Sequence, residues 1–571
     1  MKLLIIATLF FLNTQASWAQ HPPMGEAGKE SPANAPQIPP ELTQPEKAKE
    51  AFIRNAKLIV DEPIRRLPTQ HNGRIKPLDT LARELLLFTN GSYGRWGLSA
   101  SQIYLNFIVD PISPYVEFIE VRNPELRVKL GALKEKRYFS IVELEASPLQ
   151  DMAGPLFQKQ QNNKNSVTEY EKKVLDTYNQ YQAMRMVQSG DNLFQSADFN
   201  FLKGHGGNSA QPNPVIQDAL KNYLIALNKG DFASAPALVG QLMDLSKKQE
   251  APDILAHGMQ KLDAEIFYND SRLFFWACVL YLVLGSQLFV PKFADRFAGK
   301  WILAFYALPL SLQIGGISLR VYITKFAPVT NMYGTMIWVS LGVIVFSGLL
   351  YLLYRNRYVS GLMLMASGLI LLLAEKTPLV LSPDMDPIVA VLRSNYWLST
   401  HVTTITISYA AFTIAMFLGN WALIRVWTHK DNTAFFKEYA HYAYRMIQLG
   451  CFLLTVGIIL GGIWADESWG RFWGWDPKET WALIADLGFL AILHARLVGW
   501  VKDFSLLAWS PIAYLLVVMA WYGVNFILAA GLHSYGFSSG GATAVAVFVG
   551  AQLLLLIAAF IKMKKTAAPA A

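Results

Sequence analysis

Apolar residues are distributed unevenly along this chain. Up to about residue 270 they recur at short intervals among polar positions; from 273 onward they form runs long enough to cross a bilayer. Nine runs are read, at about 273–291, 300–319, 333–354, 357–375, 399–426, 446–463, 480–500, 506–530 and 541–562. Ahead of them, periodicity predicts helices near 76–88, 166–188, 214–228 and 235–248, while 115–121 and 137–144 read as strands or short helices. Residues 68–87 begin with turn chemistry and continue as a helix, with Asp79 or Thr80 as N-cap. The expected fold is an α-helical polytopic membrane protein of about nine transmembrane helices with an N-terminal, mainly helical extracytoplasmic domain.

The first 19 residues carry Lys2, an apolar run at 3–12 and the small-x-small triplet Ser17-Trp18-Ala19, the pattern of a signal peptide, with an uncleaved anchor as the alternative. Residues 20–48 hold seven prolines and read as a disordered tether. This divides the chain into a signal peptide 1–19, a tether 20–48, a periplasmic domain 49–270 and a membrane domain 271–571. With the 49–270 domain outside, Lys292, Arg296, Arg355, Arg357, Lys430, Lys437, Arg445, Lys502, Lys562, Lys564 and Lys565 fall on the cytoplasmic side, as the positive-inside rule requires. The same parity puts the loops at 376–398, 464–479 and 531–540 on the exterior face, with cations Arg393, Arg471 and Lys478 among them.

Composition narrows the chemistry. A chain that is 53% hydrophobic and 16% charged is not one soluble domain, and its net charge of +8 is not gathered into a basic patch, so no nucleic-acid partner is expected. Cys278 and Cys451 both sit in apolar runs and no Cys-x-x-Cys occurs, so the chain carries neither a redox motif nor a covalent haem site, and no disulfide is expected.

The densest signal is WADESWGRFWGWDPKETW at 464–481. Trp464, Trp469, Trp473, Trp475 and Trp481 supply flat apolar area at low rotamer cost, and Gly470 and Gly474 permit close backbone approach. An interfacial aromatic belt accounts for one or two tryptophans. Five within 18 residues suit a large flat ligand such as haem. His401 and His533, 132 residues apart, flank this segment on the exterior face and are candidate axial ligands of one haem iron. Asp476-Pro477-Lys478-Glu479 matches a helix start, with Asp476 as cap, Pro477 at the first position and Glu479 closing a capping box; a role of Asp476 at the haem edge is the alternative. Arg393, Arg471 and Lys478 are possible partners for haem propionates, or ordinary solvated charges. His494 lies deep in the seventh run, either at a second haem position or bonded to a neighbouring helix. Asp486, in the same run, has no obvious partner. His21, His71, His205, His257, His429 and His441 stand at background, and haem iron is the only metal expected.

WGRFWGWDPKETW resembles the WWD signature of the haem-handling proteins of cytochrome c maturation, and its W-G-W-D-P-K-E form looks like the CcsA (ResC) branch, the System II cytochrome c synthase subunit. VTNMYGTMIW at 329–338, YWLSTHVTTITISYAAF at 396–412, GVNFILAAGLHSYG at 523–536 and HARL at 494–497 agree with it. LPTQHNGRIKPLDTLA at 67–82 resembles the region preceding the membrane part in long and fused versions. The resemblance covers roughly 273–562. It implies His401 and His533 as external haem ligands, His494 as ligand of a membrane haem, and a tryptophan segment presenting the vinyl edge of haem b, at once substrate and bound ligand. It implies cytochrome c synthase (haem lyase) activity, attaching haem to Cys-x-x-Cys-His of apocytochrome c outside a bacterial cytoplasmic membrane. Fused synthases carry an N-terminal CcsB (ResB) portion with its own spans; this sequence has a soluble domain there, so a separate ResB-type partner is expected, together with a thiol reductant protein. Haem delivery or export without ligation, and a haem-bearing electron-transfer subunit, are the rival functions. A solute transporter is a third, and no internal repeat supports it.

Overall fold

The structure, a computed structural model, describes residues 39, 43–162, 167–197, 213–248, 258–296, 300–388, 394–429, 432–528 and 541–567. The signal-peptide reading and most of the tether reading lie outside these residues. The chain divides into two compact units, Met1–Asp270 and Ser271–Ala571.

The N-terminal unit is mainly helical. It runs α1 (Pro45–Ala56), β1 (Pro68–His71), β2 (Arg74–Pro77), α2 (Leu78–Asn90), α3 (Ala100–Val109), β3 (Ile119–Glu120), α4 (Pro124–Lys129), β4 (Tyr138–Phe139), α5 (Ile141–Glu145), α6 (Leu149–Asn162), α7 (Glu169–Gln188), α8 (Asp191–Ala197), α9 (Pro214–Asn228), α10 (Ala235–Lys248) and α11 (Gly258–Ser271). The expected tether therefore ends early: Pro45 takes the first position of α1, where a missing N–H costs nothing, and Ala48 is already core. The ambiguous stretches resolve into both alternatives, since β3 pairs antiparallel with β4 and α5 follows at once. The core is aromatic at its centre, with Phe107 against Phe52 at 4.8 Å and Phe118 at 4.9 Å between ring centroids.

β1 and β2 form a hairpin whose turn residues Asn72 and Gly73 both have positive φ (51° and 76°), the backbone that matches strand twist in a two-residue loop. It leads into α2, where the N-cap expectation fails. The cap is Pro77, and Asp79 lies inside the helix. Its fully buried carboxylate instead accepts from Arg65 Nε (3.1 Å) and Arg83 Nε (2.8 Å), a tertiary use that outcompetes local capping. Next to it, buried Lys76 Nζ meets Glu84 Oε2 at 2.6 Å. Burial opposes ionisation of Glu84, but the adjacent charge of Lys76, with His71 and Arg74 beside it, wins and holds the carboxyl down at about 2.

The membrane unit comprises α12 (Leu273–Gln287), α13 (Pro291–Arg296), α14 (Lys300–Thr324), α15 (Met332–Tyr354), α16 (Arg357–Lys376), a helical turn Asn395–Trp397, a π-helical segment π1 (Leu398–Val402), α17 (Thr403–Thr428), α18 (Thr433–Trp469), α19 (Pro477–Leu497), α20 (Asp503–Val518) continuing as π2 (Met519–Leu528), and α21 (Ala542–Ala567). Among the described residues, eight helices are long and apolar enough to cross a membrane. The first of the nine expected spans is the exception. It is helical for 15 residues, about 22 Å against a hydrocarbon core of about 30 Å. Pro291 disfavours helical backbone at the residue before it and opens α13.

α17 is central, with 67% of its apolar window buried, and α21 is peripheral, with 11%. Polar side chains tie α12, α14, α15 and α16 together. Tyr281 donates to Gln313 Oε1 (2.8 Å), and Gln313 Nε2 donates to the Ile337 carbonyl (3.0 Å) and Ser340 Oγ (3.2 Å). Ser340 and Ser367 hydroxyls meet at 2.5 Å, and Cys278 donates to the Gly368 carbonyl. Cys278 and Cys451 are both free and buried. α18 is a single helix of 37 residues, about 55 Å long.

Candidate functional site

The tryptophan-rich segment is much less of a loop than its composition promises. α18 continues through Trp464 and Trp469 and stops at Gly470, a left-handed C-cap (φ 68°) whose N–H donates to the Asp466 carbonyl at 2.8 Å. α19 begins at Pro477. The expected capping box is present: Asp476 accepts from the Lys478 N–H (2.9 Å), and Glu479 Oε2 accepts from the N–H of Asp476 (3.2 Å) and of Gly474 (2.8 Å). Only 470–476 is non-helical, and both its ends are fixed by capping.

Inside that short connection the backbone is strained. Trp475 has φ 57°, a left-handed conformation that costs a bulky residue about 1–3 kcal/mol. The conformation throws its indole outward, 71% exposed, edge-on to Trp473 at 5.8 Å between centroids. Trp473 Nε1 is buried without a hydrogen-bond partner among the described residues. Arg471 folds back so tightly that a Cβ on Gly474 would coincide with its guanidinium; its Nη1 lies 3.8 Å from Glu479 Oε1, an ion pair too long to be a hydrogen bond. Phe472, half exposed, lies against Gly462.

His401 sits in π1, beside the α18 end of this segment. Glycines 457 and 461 of α18, four residues apart, open a notch for it. A Cβ on Gly461 would come within 2.5 Å of the imidazole, and one on Gly457 within 2.5 Å of Ile405. In the notch, His401 Nδ1 lies 2.8 Å from the Gly457 carbonyl. A carbonyl only accepts, so Nδ1 carries the hydrogen, and in the neutral ring Nε2 holds the lone pair that binds a metal. Trp464 closes the back of the notch. Its indole is buried, edge-on to His401 at 5.8 Å and stacked on Trp397 at 6.5 Å, while Trp397 Nε1 donates to Glu467 at 2.7 Å. Trp464 is thus a wall behind the histidine, whereas Trp475 is the exposed ring. Trp469 and Trp481 are half-buried in helices.

His533 and Arg393 lie outside the described residues. Of the other two candidate cations, Arg471 already faces Glu479, and Lys478 forms no ion pair among the described residues. His494 is in the last turn of α19, on its exposed side, with Nδ1 2.8 Å from the Leu490 carbonyl, which again assigns the lone pair to Nε2. Asp476 is buried and serves as the cap.

Sequence reasoning missed the π segments and the polar atoms near them. π1 carries His401 and π2 ends where the undescribed 529–540 begins; wide π turns are rare and gather at functional positions. On π2, Asn525 Nδ2 donates to the Trp521 carbonyl (2.7 Å), and Asn525 Oδ1 and Trp521 Nε1 are buried without partners among the described residues. The asparagine of GVNF was the available hint, since a lone amide in an apolar run needs a reason.

Comparison with known proteins adds an independent line. Residues 329–533 match the family described as cytochrome C assembly protein. Protein NrfI of Wolinella succinogenes is 30% identical over 510 residues, covering 81% of this chain and 53% of that protein. The cytochrome c biogenesis protein CcsA of Chlamydomonas reinhardtii is 37% identical over 225 residues, 37% of this chain and 61% of its own length. CcsA of Chlorella vulgaris is 32% identical over 313 residues, 46% of this chain and 95% of its own. The chain thus spans about half the length of NrfI. A match covering 81% of the chain reaches into the N-terminal unit, because 271–571 is only about half of the sequence.

Proposed function

The chain belongs to the CcsA family of cytochrome c biogenesis proteins, and from that premise we propose that it holds haem b at the outer face of a bacterial cytoplasmic membrane and promotes its thioether attachment to Cys-x-x-Cys-His of apocytochrome c. The observation that carries this reading is the His401 notch: a ring wedged between α18 glycines, its tautomer set by the Gly457 carbonyl, on the helix that leads into the connection bearing the exposed and strained Trp475. His533 is the proposed second axial ligand.

The division of labour follows from side-chain chemistry. His401 Nε2 grips iron and fixes the ring plane. Trp475 and Trp473 cover the porphyrin edge, with Trp469 and Trp481 flanking. Lys478 and Arg393 answer the propionates; Arg471 does so only by leaving Glu479. No nucleophile of this chain reacts. Each apocytochrome thiol adds across a vinyl group, sulfur to one carbon and hydrogen to the other, so the chain's contribution is position, which converts an encounter into an effectively intramolecular step. A separate reductant keeps those thiols reduced. His494, exposed on α19, offers Nε2 to a membrane haem whose second ligand comes from a ResB-type partner.

The test is the absorption spectrum of the purified full-length protein. His401→Ala and His533→Ala are each expected to lose most bound haem and regain it with added imidazole, and His494→Ala to lose a separate population. Full haem occupancy in His401→Ala would sink the ligand assignment. Ligation is tested by co-expression with a ResB-type partner in a host without its own maturation system; haem bound but never attached would reduce the function to delivery.

A further inference from the structure

Asp486 lies on α19, ten residues beyond Asp476 and eight before His494, about 15 Å and 12 Å along the helix. It is 4% exposed. One carboxyl oxygen, Oδ2, accepts from the Thr455 hydroxyl of α18 at 2.7 Å; the other, Oδ1, is buried with no hydrogen-bond partner among the described residues. Around it are Phe489, stacked face to face on Phe412 at 3.8 Å, and Ala485, both fully buried.

No countercharge is at hand among the described residues. From α18 the facing groups are Thr455 and the Cys451 thiol. α20 offers Tyr514, whose hydroxyl accepts from Thr413, and Asp503, which pairs with Arg496; π2 offers Tyr522. On α19 itself the charged or titratable residues are Lys478, Glu479, His494 and Arg496. None forms an ion pair with Asp486. An ionised carboxylate in such surroundings costs several kcal/mol, whereas a carboxylic acid accepts from Thr455 through Oδ2 and leaves only a neutral O–H on Oδ1 unmet, a smaller cost. Ionisable groups at this depth are functional until shown otherwise.

We propose that Asp486 and Thr455 form a proton-binding site inside the membrane unit, on the same helix as the tryptophan connection and His494 but separate from both. Asp486 is a carboxylic acid in the resting protein, with Thr455 donating to its carbonyl oxygen. The bound proton keeps the α18–α19 seam dry and closed; its release leaves a bare charge that draws water between the helices. The inference requires no haem, so it stands or falls apart from the ligand assignment.

Infrared difference spectroscopy on the full-length protein in lipid nanodiscs decides it. Expected at neutral pH is a protonated-carboxyl C=O band that shifts down in deuterium oxide, is abolished by Asp486→Asn and survives Asp476→Asn. Thr455→Val removes the hydroxyl donor and is expected to move the same band to higher frequency without abolishing it, a readout that holds even if Asp486→Asn fails to fold. Absence of any such band sensitive to position 486 or 455 overturns the proposal. So does a band that disappears when sodium is added at fixed pH, which would make the site one for a metal cation.

Discussion

Between α12, α14, α15 and α16 the polar groups of Tyr281, Gln313, Ser340 and Ser367 close on one another within the bundle, whereas at the junction of α18 and α19 Trp473 Nε1 is buried with nothing to bind among the described residues and Trp475 is held in a costly backbone conformation. The two regions belong to one folded unit. A satisfied network explains itself as helix-to-helix adhesion. Strain and unmet hydrogen-bonding capacity do not; they persist only where the surrounding structure enforces them, and the natural reading is preparation for a group the chain does not itself supply.

The contrast can be broken at its strongest point by filling the His401 notch. Gly461→Ala puts a Cβ within 2.5 Å of the imidazole, so bound haem should fall roughly tenfold or more, about 1.4 kcal/mol per decade, while helix content and thermal unfolding move little. Equal losses of haem and of fold would erase the distinction. The buried ion cluster of the N-terminal unit offers a second kind of contrast, a site held by charge pairing. Glu84 has its pKa depressed from 4.5 to about 2, so its contribution, on the order of 3 kcal/mol, is complete above the unfolded value and lost as pH falls towards 2. Hydrogen exchange along β1, β2 and α2 should lose protection across that window, and Glu84→Gln should show the loss already at neutral pH. Gln313→Ala removes three hydrogen bonds, about 2 kcal/mol in all; the midpoint of unfolding should drop while haem per folded molecule stays constant. The smallest effect sharpens the comparison most. Trp475→Gly relieves the left-handed residue by about 1 kcal/mol, so thermal stability should rise slightly as cytochrome yield falls. A stability loss there would mean that the ring is structural.

Much of this architecture is legible in the sequence. Apolar runs placed eight of the spans to within a few residues at most ends, because hydrocarbon thickness leaves little freedom. Asp476-Pro477-Lys478-Glu479 was legible as a helix start because capping is local chemistry. What was hidden was non-local. Residues 464–469 looked like loop because of their aromatics and charges, yet nothing in them stops a helix before Gly470. Asp79 resembled a cap until Arg65 and Arg83 claimed it. The π turns leave no mark in composition, and the burial of Trp464 behind His401 depends on which helix face meets π1. For the candidate site, the pairing of His401 with His533 rests on residues beyond those described.

The length of α18 sets a boundary condition on all of this. A rod of about 55 Å cannot hide in about 30 Å of hydrocarbon; even at a tilt of about 40°, the steep end of what membrane helices adopt, some 12 Å must protrude. Its terminal turns, with Asp466, Glu467 and Ser468 exposed, are suited to water or headgroups. The apolar run 446–463 fixes where that length goes: residues 433–445 overhang one side, with Lys437, Glu438 and Arg445, and residues 465–469 the other. The helix therefore works as a mast that stands Trp469 and the connection after it at the lipid boundary, while the notch at Gly457 and Gly461 stays within the apolar stretch.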